Sequence, residues 1–149
     1  MADLTRKEVI KLIAITINRL KLTGVDLSQL NLSKLNLRGA QLNETNLSGA
    51  DLTGAHLNGA NLTKANLSDT NLSEADLSRA DLRGAILNRA ILIKAKLQIA
   101  NLNGVDLSVA NLYGADLRNA DLRDAKVSEA NLREADFDED YISWTKLIN

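Results

Sequence analysis

Leucine occupies every fifth position from Leu22 to Leu122 without a miss, and the series continues as Val127, Leu132, Phe137 and Ile142. Five residues rotate an α-helix about 140° past a full turn, so these leucines would spread around the whole cylinder instead of forming one stripe. On a continuous strand an odd step alternates faces, so successive leucines would point to opposite sides. Both conflicts vanish if the chain turns after each quintet. Every quintet then forms one side of a coil, every central Leu points to the axis, and four sides close a coil of about 20 residues. Stacked coils exchange backbone hydrogen bonds along the axis at roughly 4.8 Å, which makes a solenoid.

Two residues before each central Leu the chain almost always places Ala, as at Ala40, Ala50, Ala55, Ala60, Ala65 and Ala75. A second inward side chain beside Leu has little room, and Ala fills it without strain. The first four such positions are instead Leu20, Val25, Leu30 and Leu35, which predicts an open first coil plugged by something apolar. The plug is legible upstream. Thr5-Arg6-Lys7-Glu8 has the capping-box pattern, and Ile10, Ile13, Ile17 and Leu20 then recur at steps of three and four. This predicts an amphipathic helix over residues 6–18 that also shields backbone edges. At the other end the rhythm fails at Asp140. The chain therefore divides into an N-terminal capping helix (1–19), about six coils (20–139) and a C-terminal cap (140–149).

The tandem Ala-(Asp/Asn)-Leu-x-x pattern, as in Ala50-Asp51-Leu52 and Ala65-Asn66-Leu67, resembles the pentapeptide-repeat family, abundant in bacteria and especially in cyanobacteria. The resemblance covers residues 20–139. It implies an all-β fold, a right-handed quadrilateral parallel β-helix, here with an N-terminal α-helical cap. The handedness comes from the resemblance alone. A leucine-rich repeat would need leucines at unequal steps within a longer unit.

Eighteen basic and nineteen acidic residues leave a net charge of −1, so nothing in the total charge drives the chain toward nucleic acid or membrane. The distribution is uneven: residues 1–100 hold 13 Lys/Arg against 9 Asp/Glu (+4), and residues 101–149 hold 5 against 10 (−5). There is no Cys, so no disulfide or thiol chemistry. Lys11 interrupts the short N-terminal apolar run, no cleavage pattern follows it, and no run approaches the roughly 18 apolar residues of a membrane span. A cytoplasmic location is expected.

Catalytic chemistry finds little to stand on. The Asp and Asn residues before each Leu, such as Asn46, Asp51, Asn61, Asn66, Asn71, Asp76 and Asp81, read as ladders of cation ligands or as Asx turns that bond the nearby backbone. No calcium-binding Gly-Asp repeat accompanies them, so Asx turns are expected and no metal. His56 is the single histidine, in one of those positions, and has no second His or Cys to complete a zinc site or triad. The Asn-Leu-Ser triplets match a glycosylation sequon only because the repeat generates them. Gly39, Gly49, Gly54, Gly59, Gly84, Gly104 and Gly114 fall at the corners, either because the backbone there is left-handed or because the position needs a small residue. No enzyme activity and no cofactor are expected.

What breaks the pattern is AILNRAILIKAKLQIA at 85–100. Leu87, Leu92 and Leu97 keep the inward frame, while Ile86, Ile91, Ile93 and Ile99 take outward positions beside Arg89, Lys94 and Lys96. Tyr113 follows Ile93 by one coil, and Val109 follows Arg89 by one coil. Ile86, Ile91, Ile93, Ile99, Val109 and Tyr113 form the candidate interaction patch, either a chance scatter of apolar residues or a surface for protein binding or self-association. Phe137, Tyr141 and Trp144 are candidates for an end cap or a dimer contact. The leading expectation is a noncatalytic interaction scaffold with an unidentified protein partner or a homodimer, and with no direct contact to nucleic acid or membrane. The alternative is a DNA mimic that binds DNA gyrase, as some members of the resembled family do. That use needs a sustained acidic surface, whereas here Arg118, Arg123, Lys126 and Arg133 interrupt the acidity.

Overall fold

The structure, a computed structural model, describes residues 5–15 and 20–138. From Lys21 onward each residue that precedes a central Leu pairs in parallel with the residue 20 positions ahead, beginning with Lys21↔Gln41 and ending with Asp116↔Asp136. The chain therefore rises one level every four quintets, as the spacing predicts. Coil one begins at residue 20, coil two at 40 and so on. The sides are numbered by their Leu rows: the first holds Leu22 and Leu42, the second Leu27 and Leu47, the third Leu32 and Leu52, the fourth Leu37 and Leu57.

Each side has one paired residue and then turns. On the third side Leu52 N–H donates to Asn71 O (2.7 Å), Gly54 N–H donates to Ser73 O (2.9 Å), and Ala55 N–H closes the turn onto Leu52 O (2.9 Å). The second residue after every central Leu, from Gly24 to Glu134, has a left-handed φ of 55° to 67°, while the residue before it does not. That is the backbone of a type II turn. All eight glycines lie there, so left-handed backbone accounts for their position; fifteen other residues adopt the same φ without that freedom.

The core is the stack of inward Leu and Ala rows, sealed from Ala40 to Leu117. Thr45 and Thr70 replace Ala in two inward places and are fully buried. Each hydroxyl donates to a carbonyl, Thr45 Oγ1 to Leu22 O (3.0 Å) and Thr70 Oγ1 to Leu47 O (2.8 Å), which removes the cost of burying it.

Helix α1 (Arg6–Ile15) opens with the expected capping box: Thr5 N–H and Oγ1 donate to Glu8 Oε2 at 2.7 and 2.8 Å. These bonds, led by the Thr5 amide, hold the Glu8 carboxyl below its usual range. The buried stripe, however, is Val9 with Leu12 and Ile13, and Ile10 is exposed. Val9 lies about 100° around the helix from Ile10. Steps of three and four from Val9 reach Leu12 and Ile13, so Ile13 packs inward as the sequence suggests, while Val9 and Leu12 take the place expected of Ile10. Ile17 lies outside the described residues.

The guanidinium of Arg6 donates to Asn31 O, Asn31 Oδ1 (3.1 Å) and Ser33 O (3.4 Å). One level up, the corresponding carbonyls of Asp51 and Thr53 accept from Leu32 and Lys34 amides. Arg6 thus supplies the donors that a preceding coil would have supplied. In the last coil the inward Val127, Leu132 and Phe137 are only partly buried against the core.

Candidate interaction surface

The Asp and Asn ladders are Asx turns. Oδ1 accepts the amide of the second residue on, as in Thr53 N–H to Asp51 (2.9 Å), Ser68 N–H to Asn66 (3.1 Å) and Arg118 N–H to Asp116 (3.2 Å). Bonds between levels extend the ladder, such as Asn66 Nδ2 to Asn46 Oδ1 (3.3 Å). Thr53 holds the Asp51 carboxyl below its usual range, and Ser108 does the same for Asp106. No cluster of metal-ligating side chains exists among the described residues, and His56 is exposed on the fourth side.

In the fourth coil this device disappears from three consecutive sides, because Ile86, Ile91 and Lys96 stand where Asn66, Asn71 and Asp76 stand one level below. The isoleucines project outward: Ile86 is 44% and Ile91 39% exposed, while Ile93 is half-buried. Ile91, Ile93 and Tyr113 share the third side, Ile86 sits on the second, and Val109 sits on the corner between them. Ile99 does not belong with them. It precedes Val109 by ten residues, half a coil, and so occupies the diagonally opposite corner. Tyr113 donates its hydroxyl to the Glu134 carboxylate, which pushes its pKa up.

Sequence spacing did not reveal the backbone of two of these residues. Ile99 and Val109 both have φ of 61° and are 54% and 52% exposed. A β-branched residue in the left-handed region is strained by about 1–2 kcal/mol. Nothing buried compensates here. The signal was available, since both stand at the position where the other coils often place Gly. Phe137 packs against the core, while Tyr141 and Trp144 lie outside the described residues.

Outward carboxylates in both halves of the chain carry arginine countercharges. Arg83, Arg118 and Arg123 each lie two residues after an Asp on the same side and grip it with two bonds: Asp81 (2.9 and 2.7 Å), Asp116 (2.9 and 2.6 Å) and Asp121 (2.8 and 2.7 Å). Arg118 also approaches Asp136 at 3.4 Å. These guanidinium bonds hold the three carboxyls below their usual range. Arg89 reaches down one level to Asp69 with two bonds of 2.7 Å.

A 20-residue step with inward Leu and Ala and an Asx turn at most quintets decides the family, and residues 21–59, 60–98 and 100–138 each match the family described as pentapeptide repeats in eight copies. The chain belongs to the pentapeptide-repeat family. Its fold is the right-handed β-helix of that family. Among solved structures it is similar to the pentapeptide repeat protein Rfr23 from the cyanobacterium Cyanothece 51142, at 28% identity over 79% of this chain and 91% of that one, with a TM-score of 0.64. It is also similar to AT2G44920, a pentapeptide repeat protein of the Arabidopsis thaliana thylakoid lumen, at 32% identity over 70% of each chain, with a TM-score of 0.53. Comparison with curated protein sequences returned no match. No described helix is long and apolar enough to cross a membrane.

Proposed function

We propose that this pentapeptide-repeat protein is a noncatalytic interaction scaffold that binds protein through the outward apolar residues of its fourth and fifth coils. The observation that carries this reading is the exposure of Ile86, Ile91 and Val109 on neighbouring parts of a rod whose other coils keep those positions polar or small. Keeping Ile91 outside forfeits the Asx bond that Asn71 makes one level below, and keeping Val109 there strains the backbone. A DNA mimic would need an unbroken acidic side, and the arginines bound to Asp81, Asp116 and Asp121 stand on the very sides that carry those carboxylates.

The test compares the parent with an Ile91→Ser/Ile93→Ser/Tyr113→Ser variant, by light scattering across a concentration series and by titration against purified candidate partners. The reading expects an association of the parent, with itself or with a partner, that the variant loses at an unchanged melting temperature. An association that the variant retains at full strength overturns it.

A further inference from the structure

We infer that the third side is a self-complementary face that pairs with a second copy of this chain, antiparallel and face to face. The inference deepens the scaffold reading by naming the occupant of the patch. A two-fold axis lying in this face, perpendicular to the rod and between coils three and four, sets each corner row against the same row of the partner in reverse order. The corner after the third side reads Lys34, Gly54, Glu74, Lys94, Gly114, Glu134. Reversed, it places Lys34 against Glu134, Gly54 against Gly114, and Glu74 against Lys94. The corner before the third side gives Asp69 against Arg89, Val109 against Gly49, and Gln29 against Glu129. No like charges meet in either row.

On the flat between the corners one row matches by size, while in the other Ile91 faces Asn71. Tyr113 faces Thr53 and Ile93 faces Ser73, so large side chains meet small ones. Ile91 and Ile93 of one copy lie one level from those of the other, and the four isoleucines gather at the axis. The charge quartets of Asp69 with Arg89 and of Glu74 with Lys94 flank them. An apolar centre with a charged rim, identical from both partners, is the anatomy of an isologous interface.

Within the chain Lys34, Glu74 and Lys94 make no ion pair among the described residues, so they are available. Gly54 and Gly114 lie beside the stems of Lys34 and Lys94, where an added Cβ would stand 3.6 and 3.5 Å from each Cγ, so the stems run along a cleared corner. The other two corners lack this symmetry. Reversal there sets Glu44 against Gly104, Lys64 against Gly84, and Arg79 against Ile99. The third side alone has self-complementary rows on both edges.

A face about 29 Å long and about 10 Å wide is small for an interface, so a dissociation constant in the micromolar range is expected. Sedimentation equilibrium at low salt, from micromolar to millimolar chain, is run on the parent, Lys94→Glu, Glu74→Lys and a mixture of the two variants. The parent should dimerise. Each variant alone should weaken the dimer at least about tenfold, because like charges then meet twice across the axis, and the mixture should restore it. Circular dichroism should show all three chains folded. A monomeric parent up to millimolar overturns the inference while leaving the scaffold reading to partner titrations. A parent dimer indifferent to both substitutions overturns it too. Geometry gives an independent check, since the chain has no Cys. Thr53→Cys and Tyr113→Cys in one chain stand three levels, about 14 Å, apart, too far to bridge internally. Oxidation should link two chains; exclusively monomeric product counts against the antiparallel register.

Discussion

Coils three and four bury interiors that differ only in Thr70 for Ala90, under different exteriors. Leu67, Leu72 and Leu77 are sealed below Leu87, Leu92 and Leu97, with Ala65 and Ala75 matched by Ala85 and Ala95. Outside, Asn66, Asn71 and Asp76 cap the following amides, whereas Ile86, Ile91 and Lys96 have no such acceptor to offer. The ladder continues through both levels, with Leu67 N–H to Ile86 O and Leu72 N–H to Ile91 O at 2.7 Å. The inward rows and the backbone ladder therefore carry the fold. The outward positions add increments of stability that a binding surface can forgo.

Substitutions of the inward leucines have the largest expected effect. Leu72→Asp and Leu92→Asp should both unfold or aggregate the protein, at a cost of more than about 4 kcal/mol, because each buries a charge without a partner. Equal loss in both coils, measured by thermal melting, supports a shared interior; a variant that melts like the parent would refute the inward assignment. Next in size is backbone strain. Ile99→Gly and Val109→Gly should each stabilise by about 1 kcal/mol, a rise of about 2–4 °C, since Gly adopts the left-handed φ freely but loses more entropy on folding.

Restoring the missing cap should have an effect of similar size. Ile91→Asn is expected to add about 0.5–1.5 kcal/mol by giving the Ile93 amide an acceptor, while Asn71→Ile one level below should lose a similar amount. Similar melting of parent and both variants would mean that the Asx bond contributes nothing net.

Acid weakens the bonds that the outward carboxylates accept. Asp51, Asp81, Asp106, Asp116 and Asp121 all have folded pKa values below the usual 3.8, through Thr, Ser or Arg bonds. A depressed folded pKa contributes stability that is complete above 3.8 and lost as pH falls through the lower folded values. The melting temperature should therefore fall below about pH 4, and Asp51→Asn, which keeps an acceptor but does not titrate, should blunt the fall. The smallest change expected is that of Ile93→Ser, within about 0.5 kcal/mol. A large destabilisation would place Ile93 among the core contacts.

Much of this molecule is legible before folding because the repeat is local. Five-residue spacing fixes which side chains point inward, and the Asp or Asn before each Leu implies the Asx turn. The helix stripe was harder to read. Over ten residues Ile10 and Val9 are equally plausible anchors, and only docking on the first coil selects Val9, Leu12 and Ile13. Arg6 as the donor to Asn31 and Ser33 was also hidden, because those carbonyls are free only where no coil lies below.

The sequence by itself determined the coil, its number of levels and its polar exterior, since each follows from contacts within a quintet or at a step of 20. Tertiary structure decided which outward residues are neighbours. Ile91, Ile93 and Tyr113 meet on one side, Val109 stands at its corner, and Ile99 is carried to the far corner although it lies six residues from Ile93. The closed coil converts position modulo 20 into direction in space, and that places residues far apart in the chain on one face and residues close in the chain on opposite ones.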